Sequence, residues 1–155
     1  MSKSVRRVEA AAEAHGLVIA VKRMGETTRT AEDAARACGC TVDRIVKSLV
    51  FRGARSGDLH LLLVSGAERV DVAKAEVAVG EPLERAEADE VRARTGFAIG
   101  GVSPLGHLQP PVIWMDARLL DHETVWAAAG APDAVFEVAP LTLATAINAR
   151  TATLY

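Results

Sequence analysis

The residues best suited to chemistry lie in one short run, Thr95-Gly96-Phe97-Ala98-Ile99-Gly100-Gly101-Val102-Ser103-Pro104-Leu105-Gly106-His107. Four glycines and one proline fall within these thirteen residues, interleaved with apolar side chains. Gly96 stands where a helix C-cap belongs, just after Glu90-Val91-Arg92-Ala93-Arg94. Phe97-Ala98-Ile99 reads as a short buried strand. Gly100-Gly101 then removes two β-carbons at its end, so that a ligand or another backbone can approach closely. Pro104 fixes its own φ and holds Ser103 extended, which stiffens the loop. A rigid loop with bare N–H groups suits an oxygen-rich group such as an ester carbonyl or a ribose. On the glycine pair alone, a tight structural turn between strands is the favoured reading.

Lys47 is the second candidate. Arg44-Ile45-Val46 precedes it and Ser48-Leu49-Val50-Phe51 follows, so its stem falls among core-facing side chains. A lysine so placed presents a poorly hydrated ammonium to a carbonyl or phosphate. On the local pattern alone, a helix-end lysine that snorkels to water is the favoured reading. Asp71 reads as a helix cap before it reads as a catalytic acid, and Asp116 suits a ligand hydroxyl or a turn equally. Ser65 and Ser103 lack a G-x-S-x-G setting, and no Lys-Ser/Thr follows the glycines, so neither a serine-hydrolase triad nor a phosphate-cradling P-loop is indicated. The two cysteines, Cys38 and Cys40, are spaced C-x-C, and the histidines at 15, 60, 107 and 122 are scattered. That pattern points to no metal site, no cofactor and thiols without a chemical task.

These residues need a scaffold, and the chain has the length for one. Its 155 residues are 50% hydrophobic and 25% charged, which describes one globular domain spanning 1–155. Leu17–Val21, Ser48–Arg52, His60–Val64, Val112–Asp116 and Ala134–Val138 read as strands, the last of them closing the series, and Thr124–Gly130 as a short strand or turn. Ser48–Arg52 and His60–Val64 form an antiparallel hairpin. Helices are expected over 4–15, from Thr30 to about Cys38, over 42–47, from Asp71 to Gly80, over 87–95 and over 141–148. The order gives an α/β (α+β) fold with a mixed central sheet flanked by helices. No apolar run is long enough to cross a membrane and no signal core opens the chain, so the expectation is a cytoplasmic protein. A net charge of −2 argues against tracking DNA or a long RNA duplex. Lys22-Arg23 and Arg6-Arg7 are local clusters able to touch a few phosphates.

Three blocks together carry a resemblance. They are Ile45-Val46-Lys47-Ser48-Leu49-Val50-Phe51, Arg69-Val70-Asp71-Val72-Ala73-Lys74 and the run Thr95–His107. In this order and spacing they resemble the YbaK/EbsC family, free-standing aminoacyl-tRNA deacylases related to the editing domain of bacterial prolyl-tRNA synthetase. The resemblance extends from about Thr30 through Phe136. It implies hydrolysis of the ester on a mischarged tRNA, with tRNA-Pro carrying Cys, Ala or another small amino acid as the expected substrate. It gives catalytic roles to Lys47 and Gly101, and substrate-binding roles to Gly100, Val102, Ser103, Pro104, Gly106, His107 and Asp71. It implies neither metal nor covalent nucleophile, with the tRNA acceptor end as partner and prolyl-tRNA synthetase as a further one. The competing expectation is a non-catalytic module that holds an aminoacyl-adenosine or acceptor end in the same pocket.

Overall fold

The computed structural model describes residues 2–25 and 30–155. Helix α1 (Lys3–Ala14) starts at Ser2, whose Oγ accepts from the Val5 N–H, and buries Val5, Val8 and Ala12 on one face. After it the chain runs extended to β1 (Lys22–Arg23). Helix α2 (Ala31–Cys38) is capped by the Thr30 hydroxyl on the Asp33 N–H and ends at left-handed Gly39. The hairpin β2 (Val46–Gly53) and β3 (Leu59–Ser65) is antiparallel. Helix α3 (Val72–Val79), capped by Asp71, leads to β4 (Leu83–Arg85) and α4 (Ala88–Thr95). Then come β5 (Val112–Asp116), β6 (Val125–Ala128), β7 (Ala134–Val138), α5 (Pro140–Ala146) and β8 (Arg150–Ala152).

Two sheets result. One is mixed, in the order β4-β2-β3-β5-β8, with β5 parallel to both β3 and β8. The other is an antiparallel trio, β1-β7-β6. All of β3 is buried, with Leu61 and Leu63 facing the main core and Leu62 and Val64 the smaller core under α3. Pleating divides β2 in the same way. Val46 and Val50 pack on the main core and Leu49 and Phe51 on the other, which puts Ser48 on the first face and Lys47 on the second. This is the α+β fold with a mixed sheet that the sequence indicates.

Four local expectations are corrected. Leu17–Val21 is not a strand. Leu17 is buried and Val18 is 98% exposed, so the run alternates like a strand but has no pairing partner among the described residues. The pairing starts only once the run has ended, Lys22 with Val135 and Arg23 with Ala134. The helix expected over 42–47 is one 3-10 turn, Val42–Arg44. Ile45 is already extended and its carbonyl accepts from the Gly66 N–H, so Lys47 lies on a strand. Phe97–Ile99 is not a strand either, because local bonds take its backbone. Phe97 N–H donates to the Thr95 hydroxyl, Gly101 N–H donates to the Ala98 carbonyl, and Ile99–Gly101 closes as a 3-10 turn. Finally, β7 is not the last strand. β8 follows α5, and β8 and β4 are three-residue edge strands with charged side chains that carry little apolar signal.

Candidate functional site

The site is set by how β2 is paired. Gly66 N–H donates to the Ile45 carbonyl and Gly53 N–H to the Asp58 carbonyl, so the odd-numbered residues of β2 bond toward β3. The even-numbered ones aim their N–H and C=O groups at the opposite edge. There β4 covers only Phe51–Gly53, and Ile45 bridges Trp126 at the start of the strand. Between these two covers, the edge at Ser48 has no neighbouring strand among the described residues.

A cleft of about 680 Å³ opens along this stretch. Its walls are Val46–Leu49, the start of α2 (Thr30–Glu32), the turn at Ile99–Gly100 with Val102, Trp126, and the Ala131–Pro132 corner. The lining is largely apolar, and Glu32 and Lys47 are its charged members among the described residues. Lys47 is half-buried, and its Nζ donates to the Glu68 carbonyl at 2.9 Å. An ammonium has three donors, so two remain. Ser48 contributes a buried Oγ that has no hydrogen-bond partner among the described residues.

Of the residues singled out from sequence, Lys47, Gly100 and Val102 line this cleft together. Gly101 lies just behind it. A Cβ on Gly101 would sit 3.0 Å from the Ala131 carbonyl carbon and 3.2 Å from the Pro132 nitrogen, so the bare glycine lets the cleft's corner pack down. At Gly100 a Cβ would meet nothing within 4 Å. Ser103 is fully buried, its Oγ accepting from the Leu105 N–H. Pro104, Gly106 and His107 face a separate cavity of about 330 Å³, bounded by α1, Pro110–Pro111 and the end of α5. Asp71 is exposed and caps α3, its Oδ1 accepting from the Lys74 N–H.

The loop is held from both ends by Arg7. Its guanidinium donates to the Gly96 carbonyl at 2.9 Å and to the Gly106 carbonyl at 3.1 Å, and it lies 4.9 Å from the centre of the Phe97 ring. Arg7 is thus committed to the loop rather than displayed for phosphates. Phe97 is fully buried, and the His107 ring meets it edge-on at 5.1 Å. His107 Nε2 bonds the Ser103 carbonyl, while burial lowers its pKa from 6.5 to about 4. A histidine held neutral stabilises the fold fully above pH 6.5, and the contribution disappears as pH falls toward 4. The expected loss is on the order of 3 kcal/mol. Urea melts of the wild type and His107→Gln from pH 7.5 to 4.5 check this. The wild type should lose more stability than the variant over that range, and parallel curves would contradict the assignment.

Cys38 and Cys40 are free and half-buried, and burial raises both thiol pKa values. Among the described residues no three His, Cys, Asp or Glu side chains gather at metal-binding range. No described helix is long and apolar enough to cross a membrane. Sequence reasoning passed over Trp126, the Ala131–Pro132 corner, Glu32 and Ser48. Only Ser48 carried a local signal, a hydroxyl at a core-facing position of an apolar strand.

Residues 25–146 match the family model for the aminoacyl-tRNA editing domain. The chain belongs to that family. It is 35% identical over 115 residues to a Bacillus subtilis (strain 168) protein named "Uncharacterized protein YwhH", covering 74% of this chain and 72% of the relative. It is 27% identical over 112 residues to the Enterococcus faecalis (strain ATCC 700802 / V583) protein named "Putative Cys-tRNA(Pro)/Cys-tRNA(Cys) deacylase EbsC", covering 72% and 68%. A solved structure titled "Crystal structure of a putative trans-editing enzyme for prolyl tRNA synthetase" superposes with a TM-score of 0.93 at 46% identity, covering 99% of this editing domain and 98% of that chain.

Proposed function

We propose that this editing domain is a cytoplasmic trans-editing deacylase that hydrolyses the ester joining a wrong amino acid to tRNA, and that residues 1–155 form one catalytic domain. The observation that carries the reading is the cleft in which Lys47, Gly100 and an uncovered strand edge converge. An ester carbonyl placed there meets donors fixed before the reaction, the arrangement that stabilises developing oxyanion charge. The two N–H donors that Lys47 does not give to Glu68 and the Gly100 N–H supply that stabilisation, and a positioned water attacks. If the substrate is cysteinyl-tRNA, its own thiol is the alternative nucleophile. The alanines at 31, 34, 128, 131 and 134 in the walls favour a small amino acid such as Cys or Ala. One methylene shifts selectivity in such a pocket by only about 1–3 kcal/mol. Among tRNAs we propose tRNA-Pro, with prolyl-tRNA synthetase supplying the wider grip that a net charge of −2 does not.

The test is deacylation of Cys-tRNA-Pro and Ala-tRNA-Pro against correctly charged Pro-tRNA-Pro. Turnover of a mischarged species with the proline ester spared is the expected result. Binding without turnover of any ester would leave a holding module instead. Two glycine variants separate the roles of the turn. Gly101→Val should displace Ala131–Pro132, lower stability by about 1–3 kcal/mol and raise KM. Gly100→Ala, with open space around it, should stay within about 0.5 kcal/mol of wild type. Thermal melts and initial rates read both, and equal stability losses at the two positions would contradict the packing argument.

A further inference from the structure

We infer that Glu32 receives the α-ammonium of the esterified amino acid, and so distinguishes a free aminoacyl ester from one whose nitrogen is blocked. The inference rests on the deacylase reading of the cleft. Glu32 is the acidic side chain among the described residues that line it. It is exposed on the first turn of α2, with no hydrogen-bond or ion-pair partner among the described residues. Its neighbour Asp33 is engaged differently, its backbone N–H satisfying the Thr30 cap and its carboxylate pairing with Arg36. The cleft's cation is Lys47, already held by the Glu68 carbonyl. An unpaired carboxylate on the wall of a mostly apolar cleft therefore has no counter-ion within the described protein.

The proposed substrate supplies one. An aminoacyl ester of a small amino acid is neutral at its reacting group and apolar or weakly polar at its side chain. Its single cation is the α-ammonium, attached to the carbon next to the scissile carbonyl. Free α-amino groups titrate near 7.7–8.0, so most are charged at neutral pH. A carboxylate–ammonium contact is charge-assisted and stronger than a neutral hydrogen bond. Anchoring the nitrogen at Glu32 fixes where the carbonyl can reach and leaves the amino-acid side chain to the alanine-lined wall. Glu32 binds substrate in this scheme and takes no part in bond making.

Glu32 also lies in the first turn of a helix, where an acidic residue favours the helix dipole. The experiment therefore reads ligand discrimination and not stability. The probe is an amide-linked 3′-alanylamino-3′-deoxyadenosine, which is not hydrolysed as an ester, compared with its N-acetyl form by equilibrium binding. The wild type should prefer the free amine by roughly 5- to 20-fold at pH 6.5, and the preference should shrink by pH 8.5 as the amine loses its proton. Glu32→Gln should abolish the preference, and Glu32→Lys should reverse it. A Gln variant that keeps the wild-type preference, or a wild type with none, overturns the inference. Ester turnover measured alongside keeps the readings apart. Turnover with the preference intact in Glu32→Gln sinks the Glu32 assignment alone. Loss of preference in the variant, with no ester turnover by the wild type, upholds Glu32 and sinks the deacylase reading.

Discussion

Lys47→Ala is expected to lower ester hydrolysis by roughly 10²–10³ in kcat, the usual consequence of removing one strong donor from a developing oxyanion. The variant should still fold. Lys47 is only half-buried, and what it leaves behind is one carbonyl, that of Glu68, without its 2.9 Å donor. That loss amounts to about 1 kcal/mol. The separation between a large kinetic and a small thermodynamic effect is what distinguishes a catalytic ammonium from a bracing one. Lys47→Arg should not restore full rate, because a planar guanidinium cannot place a point charge in the same position. If Lys47→Ala hydrolysed every mischarged tRNA at near wild-type rate, the ammonium would serve only to hold the chain at Glu68.

Phe97→Ala should produce the largest stability loss of any single change in the loop. The ring is fully buried in the main core, under the Arg7 guanidinium and against the His107 edge. Truncating such a ring costs about 3–5 kcal/mol, which for a chain of this length is roughly 6–20 °C in Tm. Differential scanning calorimetry checks it. A shift smaller than about 2 °C would mean that the surroundings collapse onto the vacancy or that the ring contributes little to the core.

The elements legible in the sequence were those that carry their own stop and start signals. α2 opened at Thr30 and stopped at Gly39, α3 ran from Asp71 to Gly80, and α4 ended at Gly96. Each of these caps is present in the structure. The hairpin was legible because apolar strands flank a turn rich in Gly, Ser and Asp. What could not be read depends on partners distant in the chain. Leu17–Val21 has the composition of a strand and lacks a neighbour, whereas the charged Lys22-Arg23 pairs because β7 lies beside it. The same limit applies to the site. Lys47, Gly100 and Val102 could be singled out by type, but the wall at Trp126 comes into view only through its bridge to Ile45. Pro104, Gly106 and His107 shared the loop's sequence pattern with Gly100 yet face the other way, because the chain passes through buried Ser103 between them.

The double grip of Arg7 has a consequence for the order in which the protein is made. The first helix leaves the ribosome long before its partners, since the carbonyls it holds belong to Gly96 and Gly106. It also packs on Gly130, whose missing Cβ would fall 2.8 Å from the Ser4 carbonyl oxygen. Until the segment through Gly106 has emerged, Arg7 has no carbonyls to hold and the Gly100 loop has no brace, and the close approach of α1 to Gly130 comes later still. Contacts of such long sequence separation form late and slow the search for the native state. A nascent or truncated chain that stops short of about residue 130 therefore carries Lys47 and the Gly100 loop without the Ala131–Pro132 corner that completes the cleft.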